Sequence, residues 1–246
     1  SRLVHEAVFF IPIRHLAKEM WSAMTLEQWS AVDQYFESLF VPPDSVLSAA
    51  LNESSAAELP SIQVSPSQGK MLHVLARSYR ASRILEIGTL GGYSTIWLAR
   101  ALPANGHLIT LEINPKHAEV AQKNLDRAGV SSQVEVRVGK AIDLLPRLLE
   151  EGQAPFDLVF IDADKASTKE YIDWTLRLTH TGSVIIVDNV VRKGLVIDPN
   201  STDESVRGTR RALDAIAAEP RLLASSVQIV FIIFYDGFVL ACVIEE

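Results

Sequence analysis

Arg83-Ile84-Leu85-Glu86-Ile87-Gly88-Thr89-Leu90-Gly91-Gly92-Tyr93-Ser94 is the stretch on which the fold turns. Ile84 to Ile87 is an apolar run of strand length. The glycines behind it permit tight turning and close backbone approach before a helix expected over Thr95 to Ala101. The same alternation recurs downstream. Apolar runs at Leu108 to Leu111, Val134 to Val138, Leu158 to Ile161 and Val184 to Val187 are separated by helix patterns, which predicts a parallel, doubly wound α/β sheet with helices on both faces. Val227 to Phe234 and Phe238 to Ile244 follow one another with Tyr235-Asp236-Gly237 between them, and predict a terminal antiparallel hairpin turning at those three residues.

Upstream the chain reads as helical. Thr25-Leu26-Glu27-Gln28 resembles a capping box opening a helix with apolar positions at Leu26, Trp29, Val32, Phe36, Leu39 and Phe40. A second helix opens at Ser65-Pro66-Ser67-Gln68 and runs to about Tyr79. Ala7 to Ile13 is apolar but short, and Arg14, His15 and Lys18 follow it, the reverse of the charge order of a signal peptide. Residues 1–24 are therefore expected to be an N-terminal extension, and residues 25–246 one domain.

The composition narrows the function classes. With 246 residues, 48% hydrophobic and 22% charged, the chain is long enough to bury one full core. A net charge of −7 lacks the basic excess of a protein that takes its affinity from a phosphate backbone, which weighs against nucleic acid. No apolar run reaches the roughly 18 residues of a membrane span. The single cysteine, Cys242, fits a reducing compartment, so the cytoplasm is the expected location.

In an open parallel sheet ligands bind beyond the carboxyl ends of the strands, and here those ends are polar. Gly88-Thr89-Leu90-Gly91-Gly92 is either an ordinary strand-to-helix turn or a nucleoside-binding loop. Glu112 at the next strand end, placed to accept from both hydroxyls of a ribose, favours the second reading. The glycine spacing is not the G-x-G-x-x-G that sets a helix terminus against pyrophosphate, which argues against a dinucleotide. Acidic residues such as Glu86, Glu112 and Asp162 suit the cationic sulfonium of S-adenosylmethionine. Asp162 ends a further strand, and Asp188 and Asn189 end the one after it. Each aspartate taken singly reads as a helix cap, but the three together bring hard oxygen donors to neighbouring strand ends, the ligand type that Mg²⁺ or Ca²⁺ prefers. Lys165 follows Asp162 closely. It is either a surface lysine paired with Asp164 or Glu170, or a base whose pKa a pocket and a nearby cation lower.

These residues resemble the cation-dependent O-methyltransferases, the family that includes catechol and caffeoyl-CoA O-methyltransferases and bacterial relatives. The likeness spans about Ile62 to Gly237 and is most specific in Phe156-Asp157-Leu158-Val159-Phe160-Ile161-Asp162-Ala163-Asp164-Lys165 and Val187-Asp188-Asn189-Val190, with Gly194 and Val196 following. The resemblance implies a Rossmann-like seven-stranded sheet with an antiparallel last strand, and transfer of a methyl group from S-adenosylmethionine to a catechol-like or phenolic hydroxyl. It further implies a divalent cation (Mg²⁺, Ca²⁺ or Mn²⁺) on Asp162, Asp188 and Asn189, with Lys165 as the base. The cofactor would lie against Val64, Glu86, Gly88, Ser94, Glu112, the turn Gly139-Lys140-Ala141, and Asp162. A homodimer is expected from the family's habit.

Two departures stand out. Val230-Phe231-Ile232-Ile233-Phe234 is wholly apolar where many relatives carry lysine and glycine, and no asparagine near Arg207-Gly208-Thr209-Arg210 matches the one some plant relatives place by the acceptor. The rival reading within this core is methylation of a hydroxylated uridine in tRNA, which the acidic balance opposes and a local face of Arg77, Arg80, Arg83, Arg207, Arg210 and Arg211 would favour. A non-catalytic binding module is opposed by the full set of candidate ligands plus Lys165, and a nicotinamide enzyme by the glycine spacing.

Overall fold

The structure is a computed structural model and describes residues 26–230 and 235–245. The expected extension over residues 1–24, and most of the apolar stretch ending at Phe234, lie outside those residues. Three helices lead: α1 (Leu26–Phe40), α2 (Ser45–Ala56) and α3 (Pro66–Ser78). The alternating part follows as β1 (Arg83–Ile87), α4 (Tyr93–Ala99), β2 (His107–Glu112), α5 (Pro115–Ala128), β3 (Val134–Val138), α6 (Ala141–Glu150), β4 (Phe156–Ile161), α7 (Thr168–Thr175), β5 (Thr179–Asp188), α8 (Glu204–Ala218), β6 (Leu222–Val230) and β7 (Tyr235–Val243).

The strands form one seven-stranded sheet in the order β3-β2-β1-β4-β5-β7-β6. Neighbours from β3 to β5 pair in parallel, and β7 runs antiparallel to both β5 and β6. Side chains alternate between two cores, as strand geometry requires. Ile84, Leu108, Leu158, Phe160, Val184 and Ile186 face one way and pack with α2, α3, α4 and α5. Leu85, Ile87, Ile109, Leu111, Val159 and Ile185 face the other way and pack with α6, α7 and α8. Burial on both faces explains why these strands read as continuous apolar runs.

Local chemistry sets the helix starts. Asp44, Ser65 and Asn114 each accept a backbone N–H of the helix they precede, and Pro66 and Pro115 occupy first-turn positions where a missing N–H costs nothing. The hairpin differs from expectation: β6 ends at Val230 and Tyr235-Asp236-Gly237 lies inside β7, paired in turn with Val230, Ile229 and Gln228. Asp-Gly mimics a turn in composition, but here its polar groups serve a neighbouring loop described below. Among the described residues no helix is long and apolar enough to cross a membrane.

Candidate active site

Backbone hydrogen bonds gather the carboxyl ends of four strands. Gly139 N–H donates to the Glu112 carbonyl (2.8 Å), Gly88 N–H to the Leu111 carbonyl (2.9 Å) and Asp162 N–H to the Ile87 carbonyl (2.8 Å). The approach between the β1 and β4 ends is so close that a Cβ on Gly88 would sit 2.1 Å from the Asp162 carbonyl oxygen, and its φ of +106° is one that L side chains rarely adopt. Gly88 and Asp162 are thus brought together by a contact only glycine allows.

Glu112 is 6% exposed and holds the glycine loop. One carboxylate oxygen accepts the N–H groups of Thr89 (3.2 Å) and Leu90 (2.8 Å); the other accepts that of Asn114 (2.9 Å), with His117 Nδ1 at 3.5 Å. Glu86 has no exposed surface at all. Its oxygens accept from the hydroxyls of Ser94 (2.6 Å), Thr95 (2.5 Å) and Thr110 (2.6 Å), and since Thr110 donates there, its own oxygen takes the Thr89 hydroxyl (2.6 Å). Burial pushes the Glu86 carboxyl up to about 7, although these hydroxyls pull it down. Glu86 therefore ties the start of α4 to β2. Val64 is buried just before the α3 cap, and Lys140 is exposed at the head of α6 beside the buried Ala141.

The second half of the site lies at the ends of β4 and β5. Ile161 pairs with Val187, so Asp162 and Asp188 follow at adjoining strand ends. Lys165, 9% exposed, places its Nζ 3.0 Å from Asp162 Oδ1; its partner is Asp162, not Asp164 or Glu170. Asp164 instead accepts the Ser167 N–H (3.1 Å) and the Tyr171 hydroxyl (2.5 Å), fixing the turn that carries Lys165. From the other side α8 presses on that turn, and a Cβ on Gly208 would lie 2.2 Å from the Lys165 carbonyl oxygen.

Asp188 is 3% exposed. Its Oδ1 accepts the Asn189 N–H (2.8 Å) and its Oδ2 the Gln68 side-chain amide (2.7 Å). Burial, then the Asp162 carboxylate nearby, push the Asp188 carboxyl well above the ordinary carboxylate range against the pull of Lys165. Asn189 has a φ of +55°, a left-handed conformation that asparagine tolerates better than most residues. The loop beyond it is anchored from β7: Asp236 Oδ1 accepts the N–H groups of Val191 (2.9 Å), Arg192 (3.2 Å) and Gly237 (3.0 Å), and Val190 N–H donates to the Gly237 carbonyl (2.9 Å).

Among the described residues no three His, Cys, Asp or Glu side chains converge on a point. Asp162 and Asp188 bring two carboxylates to adjoining strand ends, and Asn189 follows Asp188 directly in the chain. Two carboxylates crowded at adjoining strand ends, with Lys165 as the nearby positive charge, suit a hard divalent cation. The sequence reading missed Gln68, Tyr171 and Asp236. Only Tyr171 lay within a motif's reach, seven residues after Asp164.

Residues 42–244 match the family model described as O-methyltransferase. The chain is 53% identical over 220 residues to a catechol O-methyltransferase of Niastella koreensis, covering 89% of this chain and all of the relative. It also superimposes on an O-methyltransferase from Bacillus cereus in complex with SAH, with a TM-score of 0.87 and 50% identity over 89% of this chain and 100% of that one. A third similar structure is the O-methyltransferase TomG from Streptomyces achromogenes in complex with SAM, with a TM-score of 0.87 and 49% identity over 90% and 99% of the two chains. The chain belongs to the O-methyltransferase family of methyl-transferring enzymes.

Proposed function

We propose that this O-methyltransferase takes its methyl group from S-adenosylmethionine and, with a divalent cation, delivers it to one hydroxyl of a catechol-type small molecule. The observation that carries the reading is the meeting of Asp162, Asp188 and Lys165 at adjoining strand ends beside the glycine loop. When bound, the cation acidifies acceptor hydroxyls and S-adenosylmethionine supplies an activated methyl group. Asp162, Asp188 and Asn189 would hold the cation, with Mg²⁺ as the leading candidate and Ca²⁺ or Mn²⁺ as alternatives.

Glu112 has lone pairs left after its backbone contacts and would accept the ribose hydroxyls. Val64, Gly88, Ser94, the turn Gly139-Lys140-Ala141 and Asp162 would line the cofactor, with Glu86 acting through Ser94 because no surface of its own is open. Lys165, once it has given up its own proton beside a bound cation, would take the proton of the acceptor hydroxyl. Catalysis here is chiefly positioning and electrostatics. The catechol-type acceptor rests on the names of the most similar relatives.

Residues 25–246 form the catalytic domain in this reading and 1–24 an extension to it. The exposed α1 face of Phe36, Leu39 and Phe40 supports the homodimer implied by resemblance, and the lone cysteine supports a cytoplasmic location. The test is transfer from labelled S-adenosylmethionine to caffeic acid with Mg²⁺ and with EDTA. Transfer that EDTA removes and Mg²⁺ restores is expected. Transfer that EDTA leaves untouched refutes the cation, and transfer to tRNA but not to dihydroxylated aromatics refutes the acceptor.

A further inference from the structure

Gln68 occupies a position where local rules predict a different job. In a capping box the side chain three residues after the cap folds back onto the cap's own N–H. Here the Ser65 hydroxyl accepts the Gln68 N–H (3.1 Å) as such a box requires, but the Gln68 amide reaches across to Asp188 Oδ2 at 2.7 Å, 120 residues further along the chain. Asp188 lies in the core at the end of β5, and its other oxygen is held by the Asn189 N–H. Each oxygen thus has one neutral protein donor, and neither donor brings a charge that would compete with a cation.

We infer that Gln68 is a positioning residue: its hydrogen bond sets the Asp188 carboxylate for cation binding and ties that carboxylate to the start of α3, next to Val64. This inference rests on the divalent-cation reading above. Partners that orient a metal-binding side chain from behind typically govern metal affinity, and a neutral amide can keep its hydrogen bond after the cation arrives. Because the same contact joins β5 to α3, cation binding should also quiet the backbone at the head of α3, as linkage between two joined segments requires.

The test is Mn²⁺ titration of the full chain, wild type against Gln68→Ala and Gln68→Met, each saturated with S-adenosylhomocysteine, with hydrogen exchange followed over residues 62–72. Methionine keeps the length of glutamine and lacks its donor, so it guards against a cavity effect. Both variants are expected to stay cooperatively folded in EDTA, to bind Mn²⁺ about 10–100-fold more weakly, and to lose the Mn²⁺-induced protection of residues 62–72 that wild type displays. Variants that bind Mn²⁺ as tightly as wild type overturn the role of Gln68 and leave the cation reading standing. A wild type that binds S-adenosylhomocysteine but no Mn²⁺ overturns both.

Discussion

At the amino ends of β1, β4 and β5, Asp157 is surrounded by donors: the Ser82 N–H (2.7 Å) and hydroxyl (2.9 Å), the Arg83 N–H (2.8 Å) and His180 Nε2 (3.0 Å). Burial there acts to raise its pKa, but His180 and the backbone donors outweigh it and hold the carboxyl below its ordinary range. At the carboxyl end of the same sheet, Asp188 has two donors and a second carboxylate nearby, and burial raises its pKa above the ordinary range. One end is finished as a structural joint. The other keeps negative charge in poor company, which is a cost to stability unless a positive ligand arrives, and such perturbed groups cluster where proteins do chemistry.

The largest effect that can break this contrast is a pair of alanine substitutions. Asp188→Ala should lower Mg²⁺-dependent methyl transfer by more than about 100-fold, beyond the loss of a supporting partner alone, while its metal-free stability in EDTA matches or exceeds wild type. Asp157→Ala should do the opposite: a loss of about 1–3 kcal/mol in urea unfolding, from donors left unpaired, with the turnover of the folded protein unchanged. Equal stability losses from both would erase the distinction between the two ends.

A smaller effect sharpens it through pH. The Glu86 carboxyl sits at about 7 in the folded chain against an ordinary 4.5. Between those values the native state keeps a proton that the unfolded chain has released, so this group's contribution to stability is complete below about 4.5 and is lost as pH rises through about 7. Glu86→Gln removes that dependence. Measured in EDTA, the variant should lose less stability than wild type between pH 5 and pH 8, by about 1–3 kcal/mol. Parallel pH profiles would mean that Glu86 is ionised throughout and that its hydroxyl cage offsets burial fully.

Much of the fold was legible because it depends on local patterns. Apolar runs buried on both faces announce a parallel sheet, glycines mark the turn after β1, and Asp162, Asp188 and Asn189 stand at the strand ends where the topology puts ligands. What escaped depends on contacts between distant segments. Gln68 was explained locally as part of a helix start, and nothing within α3 points to a carboxylate on β5. Tyr235-Asp236-Gly237 has the composition of a turn, yet Asp236 lies in β7 because its carboxylate is needed by the N–H groups of Val191 and Arg192. The place of Glu86 at a strand end was legible, but not that Ser94 and Thr95 would cover its carboxylate, because that depends on how the start of α4 packs over β1.

The most direct test of the claim that the carboxyl end is held ready for a cation is anomalous diffraction from crystals of the full chain grown with Mn²⁺ and S-adenosylhomocysteine. A single strong manganese peak within coordination distance, about 2.0–2.3 Å, of Asp162, Asp188 and Asn189 oxygens is the result expected, with no peak at Asp157. Cofactor density beside the glycine loop together with a bare Asp162–Asp188 pair, or manganese bound at the Asp157 end, would contradict it.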